Sequence, residues 1–144
     1  MRKINIIIDS SGSMIEDDKN AVVKYLLNGI CNGADNFQYR FYQWGGITKS
    51  IDKVDNIKVE YSGKADCAGL EILESLIDKN DAILFISDGN IDREERNKLK
   101  DLSETIITIF IGVDANRNNL KKVSTNNSVY SVVDFMQALN DTQK

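Results

Sequence analysis

The sequence has no histidine, no proline and only two cysteines among its 144 residues. Without histidine there is no imidazole for general acid–base chemistry, for a Ser-His-Asp or Cys-His nucleophile, or for zinc binding. Cys31 and Cys67 stand in no metal-binding spacing, so we expect two reduced, partly buried thiols in a cytoplasmic protein. Without proline, the turns must use Gly, Asn and Asp.

Long hydrophobic runs and basic clusters are also missing. The longest apolar runs are about the length of a strand, so we expect no membrane span. Arg2 and Lys3 are followed by a strand pattern that soon reaches Asp9, which predicts that there is no signal peptide. A net charge of −4 without a basic block argues against a nucleic acid as partner.

Three continuous apolar stretches dominate the chain: Ile4 to Ile8, Ala82 to Ile86, and Thr105 to Val113. Such runs predict strands that are buried on both faces. The aromatic alternation of Phe37 to Trp44, with a return over Thr48 to Val54, predicts a hairpin.

Apolar residues at helical spacing separate these strands, and acids at 16–18 suit the first turn of the first helix. Asp92 and Glu95 form the pattern of a capping box. The predicted helices cover residues 16–33, 66–77, 93–102, 120–123 and 134–140. Two further short strands are predicted over residues 57–61 and 128–133. Buried strands that alternate with amphipathic helices predict one doubly wound α/β domain over residues 1–144, with a mostly parallel sheet and helices on both faces.

Polar corners follow the three buried strands. They are Asp9-Ser-Ser-Gly-Ser13, Ser87-Asp88-Gly89 and Gly112-Val113-Asp114. In an open parallel sheet, ligands bind beyond the carboxyl ends of the strands, where the strand order reverses.

If the first two buried strands are neighbours, Asp9 and Asp88 come close and repel each other, unless a positive charge lies between them or one takes up a proton. A hard divalent cation bound by the hydroxyls of Ser11 and Ser13 would remove the conflict. The alternatives are a plain turn at Asp88-Gly89 and a helix cap at Ser13.

With this order of elements, Asp9-x-Ser11-x-Ser13 at the end of the first strand resembles the metal-ion-dependent adhesion site of von Willebrand factor A (VWA) domains, and the likeness extends over the whole chain. It is similar to small stand-alone VWA proteins of bacterial systems. The resemblance implies a Rossmann-like sheet with one antiparallel edge strand near residues 37–54. It also implies that two serines and a threonine bind the metal directly, that the acids act partly through water, and that a carboxylate of the partner completes the coordination.

The sequence departs from that family at its third motif. Where the family has Gly-Gly-Thr-Asp, this chain has Gly63-Lys64-Ala65-Asp66. Because the methyl group of Ala65 cannot coordinate, Asp66 takes the place, a water fills it, or the metal is held weakly or lost. Thr48 is a remote further candidate ligand, and the ammonium of Lys64 could neutralise Asp9 and Asp88 instead of a cation.

The leading hypothesis is a non-enzymatic, cytoplasmic protein–protein interaction module. It would bind an acidic side chain of its partner through Mg²⁺, or Mn²⁺ or Ca²⁺, with Asp9, Ser11, Ser13, Asp88 and Asp66 as candidate ligands. A second hypothesis is a scaffold of the same fold that has lost the metal. A third is a Mg²⁺-dependent phosphatase with Asp9 as nucleophile, although Ser11 then stands where such enzymes carry a second aspartate as general acid.

Overall fold

The computed structural model describes residues 2–52 and 57–144 as a six-stranded sheet with five α-helices. The strands are β1 (Ile4–Asp9), β2 (Tyr39–Trp44), β3 (Lys49–Ile51), β4 (Ala82–Ser87), β5 (Ile106–Phe110) and β6 (Val129–Tyr130). The helices are α1 (Lys19–Gly33), α2 (Cys67–Leu76), α3 (Arg93–Lys100), α4 (Arg117–Val123) and α5 (Phe135–Asp141). Within the described ranges, no helix is long and apolar enough to cross a membrane.

The strand order is β3-β2-β1-β4-β5-β6, and only the edge strand β3 runs antiparallel to its neighbour. The predicted fold class, a mostly parallel α/β sheet with one antiparallel edge strand, is therefore confirmed. The chain leaves β1 toward β2 on one side and returns to β4 on the other. The order thus reverses at β1, and the carboxyl ends of β1 and β4 flank the crevice where open α/β sheets bind ligands.

Both faces of the central strands are buried, as their continuous apolar sequences predict. Ile8 lies in one buried cluster with Leu26 of α1, while its neighbour Ile7 lies on the opposite face in a cluster with Leu73 of α2. The alternation of side chains along a strand puts these residues on opposite faces. Consequently β1 is clamped between two helical layers, and its end is a fixed platform for the residues that follow.

The chain enters α1 differently from the prediction. Glu16, Asp17 and Asp18 are exposed, as expected for solvated acids, but they do not form the first turn of the helix. A 3₁₀ segment, Gly12–Asp18, comes first, and Asp17 and Asp18 adopt left-handed φ angles of 51° and 60°. Asp tolerates this conformation better than most residues. As a result, α1 begins at Lys19, which lies against the edge of the sheet.

Two of the short strands were only partly predicted. The return strand expected over 48–54 is observed as Lys49–Ile51, and its last predicted residues, 53 and 54, lie outside the described ranges. The final strand is limited to Val129–Tyr130, because a 3₁₀ turn begins at Val132.

The extended piece expected at 57–61 does not join the sheet described here. Instead, the Glu60 backbone N–H donates to Oε1 of the buried Gln43, at 3.1 Å. The capping box of α3 is present, with Asp92 and Glu95 each accepting from the other's backbone N–H at 2.9 Å.

Candidate metal centre

The structure brings Asp9 and Asp88 to the same corner of the sheet. β1 and β4 pair in parallel, with Ile8 opposite Ile86, so Asp9 comes level with the end of β4. The condition on which the predicted site depended, that these two strands are neighbours, is met.

A continuous line of polar contacts joins the two aspartates. Ser11 donates to Asp9 Oδ1 through Oγ at 2.6 Å and through its backbone N–H at 3.0 Å. Ser11 Oγ lies 3.2 Å from Ser13 Oγ, and Ser13 Oγ donates to Asp88 Oδ2 at 3.0 Å. The hydroxyl of Ser13 therefore points into the site and does not cap a helix. Four of the five predicted ligands converge: Asp9, Ser11, Ser13 and Asp88.

Asp9 is completely buried. Its second oxygen, Oδ2, accepts a hydrogen bond from Ser87 Oγ at 2.7 Å. Burial raises the pKa of Asp9 from 3.8 to about 6; the hydrogen bonds from Ser11 and Ser87 oppose this rise, and the nearby charge of Asp88 adds to it. The negative charge of Asp9 is thus only partly compensated by its protein neighbours.

Asp88, in contrast, has a cationic partner. The ammonium of Lys19 lies 3.1 Å from Asp88 Oδ2 and 3.2 Å from Asp114 Oδ1. Only 2% of the Lys19 side chain is exposed. Burial alone would lower the pKa of Lys19, but the hydrogen bonds and charges of Asp88 and Asp114 outweigh it and raise the pKa. Lys19 therefore stays charged.

Lys64, which the sequence offered as a possible counter-charge for Asp9 and Asp88, forms its described ion pairs elsewhere. Lys64 is 71% exposed and instead pairs with Asp92 and Glu95, with N···O distances of 3.6 Å to each. The exposed Lys64 side chain pairs with two acids at the start of α3, whereas Lys19, the first residue of α1, places its ammonium beside Asp88. A lysine does neutralise part of the site, but from another element.

The loops that carry these residues are fixed by backbone contacts. The Gly12 N–H donates to the Gly63 carbonyl at 2.9 Å, and the Asn116 N–H donates to the Asp88 carbonyl at 2.8 Å. Gly89 has a φ of +81°, and a Cβ there would lie 2.4 Å from the Asn116 carbonyl oxygen. Only glycine fits this close approach, so the observed conformation of the loop that holds Asp88 requires glycine at this position.

Ala65 lies where the sequence places the missing hydroxyl. It is buried and lines a cavity of about 290 Å³ together with Ser11 and Ser13. Asp66 is the one predicted ligand that does not join the cluster in this structure. Its Oδ1 caps α2 by accepting from the Gly69 N–H at 2.9 Å. The hydroxyl of Thr48 lies 3.3 Å from the carbonyl oxygen of Gly45 and shares no described hydrogen bond with the cluster.

Sequence reasoning missed Lys19 as a functional residue, and it named Ser87 and Asp114 only as parts of corners. One signal was available for Lys19. A cation in the first turn of a helix is opposed by the helix dipole, so its position calls for a partner outside the helix.

The residues present fit a hard divalent cation, although with one ligand fewer than the family pattern. Lys19 pairs with Asp88 and Asp114, and Asp9 has no described cationic partner, so two formal negative charges remain among the three carboxylates. Hydroxyl and carboxylate oxygens are the ligands that Mg²⁺ and Mn²⁺ prefer. Across residues 2–52 and 57–144, no group of three or more His, Cys, Asp or Glu side chains is arranged to hold a metal. A site here therefore depends on the serine hydroxyls.

No protein-family model matches this sequence, and comparison with curated proteins gives no match either. Solved structures do match. An aerotolerance-related membrane protein from Bacteroides fragilis, carrying multiple mutations to serines, has a TM-score of 0.73 and 13% identity, over 99% of this chain and 98% of that one. The conserved hypothetical protein BatB from Bacteroides thetaiotaomicron has a TM-score of 0.67 and 11% identity, over 99% of both chains.

A third structure carries the name of the fold. The ArnB paralog VWA2 from Sulfolobus acidocaldarius has a TM-score of 0.66 and 14% identity, over 94% of this chain and 43% of that one. Identities this low establish a shared architecture and do not transfer a function. This chain has the fold of a VWA domain.

Proposed function

We propose that this chain is a non-enzymatic protein-interaction module that binds an acidic side chain of a partner through a divalent cation. The observation that carries the proposal is the line of polar contacts from Asp9 through Ser11 and Ser13 to Asp88, at the point where the strand order reverses. Such a cluster, with two formal negative charges left over, calls for a counter-ion.

Each side chain would have a separate role. The hydroxyl oxygens of Ser11 and Ser13 would hold the cation, and Asp9 and Asp88 would balance its charge. Ser87 Oγ donates to Asp9 Oδ2 at 2.7 Å, and the Asn90 backbone N–H donates to Asp88 Oδ1 at 3.0 Å. These hydrogen bonds fix the orientation of the two carboxylates. Asp66 could join only by leaving its cap, at a cost of about 1 kcal/mol. A bound cation would offer an open coordination position to a carboxylate, which an acidic protein could not otherwise attract.

The surface around the site also suits a protein partner. Ile15, in the 3₁₀ segment after β1, is 53% exposed, and Val113, after β5, is fully exposed. Exposed large apolar side chains can supply buried contact area to a protein partner. The exposed ammonium of Lys64 at the rim of the cavity gives an acidic partner a second attraction.

A metal-free scaffold is the second candidate, and two observations favour it. Lys19 already neutralises Asp88, and Ala65 removes one ligand from the family pattern. A scaffold of this kind would bind its partner by shape and would not respond to divalent cations.

The geometry argues against the phosphatase alternative. Asp9 has no exposed surface, and both of its carboxylate oxygens accept hydrogen bonds from serine hydroxyls. A nucleophile needs an oxygen that can approach the phosphorus atom.

The test combines calorimetry with thermal unfolding. We expect Mg²⁺ and Mn²⁺ to bind the wild type at one site and to raise its melting temperature relative to EDTA, since a ligand of the native state stabilises it. The Ser11→Ala, Ser13→Ala double variant should lose both effects, while Ser75→Ala, a change at an exposed serine of α2, should keep them.

The partner is tested by pull-down with the same three proteins. We expect capture that is lost in EDTA and in the double variant. Undiminished capture by the double variant would refute the proposal and favour the scaffold.

A further inference from the structure

The ammonium of Lys19 occupies a position that a bound cation would need to share. Its contact with Asp88 Oδ2, at 3.1 Å, is to the same oxygen that accepts from Ser13 Oγ at 3.0 Å. Asp88 Oδ2 and Ser13 Oγ are both groups that the proposed function assigns to the cation. Lys19 and the cation would therefore compete for the same oxygen, Asp88 Oδ2.

The fold provides a dedicated slot for this side chain. Lys19 is 98% buried, although lysine is among the residues least often buried. Gly112 makes the slot possible: its φ is +94°, and a Cβ there would lie 2.8 Å from Cε of Lys19. The aliphatic stem of Lys19 runs where a side chain at residue 112 would otherwise lie.

The ammonium of Lys19 also pairs with two acids that differ in exposure. Asp88 is 5% exposed, and Asp114 is 57% exposed. Both N···O distances are short, so the ammonium can keep Asp114 as its partner if Asp88 is given up. The structure thus contains a second position for the charge, toward solvent.

From these contacts we infer that Lys19 is an internal competitor of the divalent cation. This inference rests on the proposed function. Without metal, the tethered ammonium stabilises Asp88 and lets the domain fold. With metal, the cation takes over Asp88 and Lys19 pairs with Asp114 alone. The affinity for the cation is accordingly lower than the oxygen ligands alone would give.

The experiment compares Lys19→Met and Lys19→Gln with the wild type, and uses Lys24→Met, at an exposed lysine of the same helix, as the matched control. Mn²⁺ and Mg²⁺ are titrated by calorimetry, and unfolding is followed in EDTA and in excess metal.

We expect both Lys19 variants to bind Mn²⁺ at least about tenfold more tightly than the wild type, because a neighbouring unit charge is removed from a poorly solvated site. In EDTA they should melt below the wild type, since Asp88 is left buried without a counter-charge. In excess metal, the melting temperatures of the Lys19 variants should equal that of the wild type. Lys24→Met should match the wild type in both measurements.

Nuclear magnetic resonance of the lysine ammonium nitrogens gives a readout that a purely structural role would not move. The Lys19 signal, assigned by its loss in Lys19→Met, should shift when Mg²⁺ is added to the wild type.

The outcomes separate the two claims. Equal affinities in wild type and Lys19 variants would overturn the inference and leave the proposed function standing. Metal binding by the variants alone would support the inference and overturn the metal-dependent function of the wild type. Weaker binding by the variants would overturn the inference, because Lys19 would then support the cation. An absence of binding in every protein would overturn both.

Discussion

Replacing Asp9 by asparagine should stabilise the metal-free protein at neutral pH, although it removes a hydrogen-bonded charge from the centre of the site. The pKa of Asp9 rises from 3.8 to about 6, chiefly because the carboxylate is buried. A difference of about 2 pKa units corresponds to about 3 kcal/mol of free energy of unfolding. Since the folded state holds the proton more tightly, this contribution is present below pH 4 and is lost as the pH rises to 6.

The Asp9→Asn variant removes that titration and keeps the contacts with Ser11, whose hydroxyl and backbone N–H can donate to the amide oxygen. Its amide nitrogen can donate to Ser87 Oγ, which also accepts from the Gly89 N–H, but the Ser87 hydroxyl loses the acceptor that Asp9 provides, and this loss reduces the gain. We expect the variant to be more stable than the wild type by up to about 3 kcal/mol at pH 7.5 in EDTA, or roughly 10 °C in melting temperature. The two should converge near pH 4.

The assay is urea unfolding of both proteins from pH 4 to pH 7.5, with the difference between them as the readout. Comparing the two cancels the titration of other groups. Excess Mg²⁺ should reverse the order at pH 7.5, because a cation favours the ionised carboxylate that only the wild type has. A variant that is less stable by the same amount at every pH would show that burial of the Asp9 charge does not lower the stability of the wild type.

Three further predictions follow from single contacts. Ala65→Thr should restore the missing hydroxyl beside Ser11 and Ser13 and tighten Mn²⁺ binding by about tenfold, measured by calorimetry; unchanged affinity would show that residue 65 does not face the cation. Gly89→Ala should lower the free energy of unfolding by more than about 2 kcal/mol, since it adds a left-handed backbone penalty to a clash with Asn116; a smaller loss in urea unfolding would contradict the fixed loop. Asp92→Ala should cost about 1 kcal/mol through the lost cap of α3 and leave metal affinity unchanged, which the same two assays check.

The parts of the fold that the sequence predicts are those in which a single physical rule decides the outcome. β1, β4 and β5 are continuous apolar runs, and no other secondary structure buries such short runs on both faces. The capping box of α3 is a local exchange of hydrogen bonds that depends on two residues only. The meeting of Asp9 and Asp88 follows from the strand order, because Asp9 ends β1 and Asp88 directly follows the neighbouring parallel strand β4.

The parts that the sequence did not predict depend on contacts between distant elements. Lys19 and Lys64 both lie near acids, and the choice between them required knowledge of where α1 begins. That boundary was moved by the left-handed turn at Asp17 and Asp18, a conformation that Asp tolerates but that the helical pattern of this stretch does not indicate. Asp66 was expected among the ligands because of its place in the motif, but the local hydrogen bond to the Gly69 N–H holds it as a cap. Its role as a metal ligand stays a prediction.

Paramagnetic broadening by Mn²⁺ shows whether a divalent cation binds where β1 and β4 end. Amide signals of the ¹⁵N-labelled protein are recorded as Mn²⁺ is added in small amounts. We expect the amides of Ser11, Ser13 and Asn90 to broaden first, while those of Asp35 and Asp81, at the opposite edge of the sheet, stay sharp. Broadening that begins at Asp35 and Asp81, or that spreads evenly over the chain, would contradict this expectation.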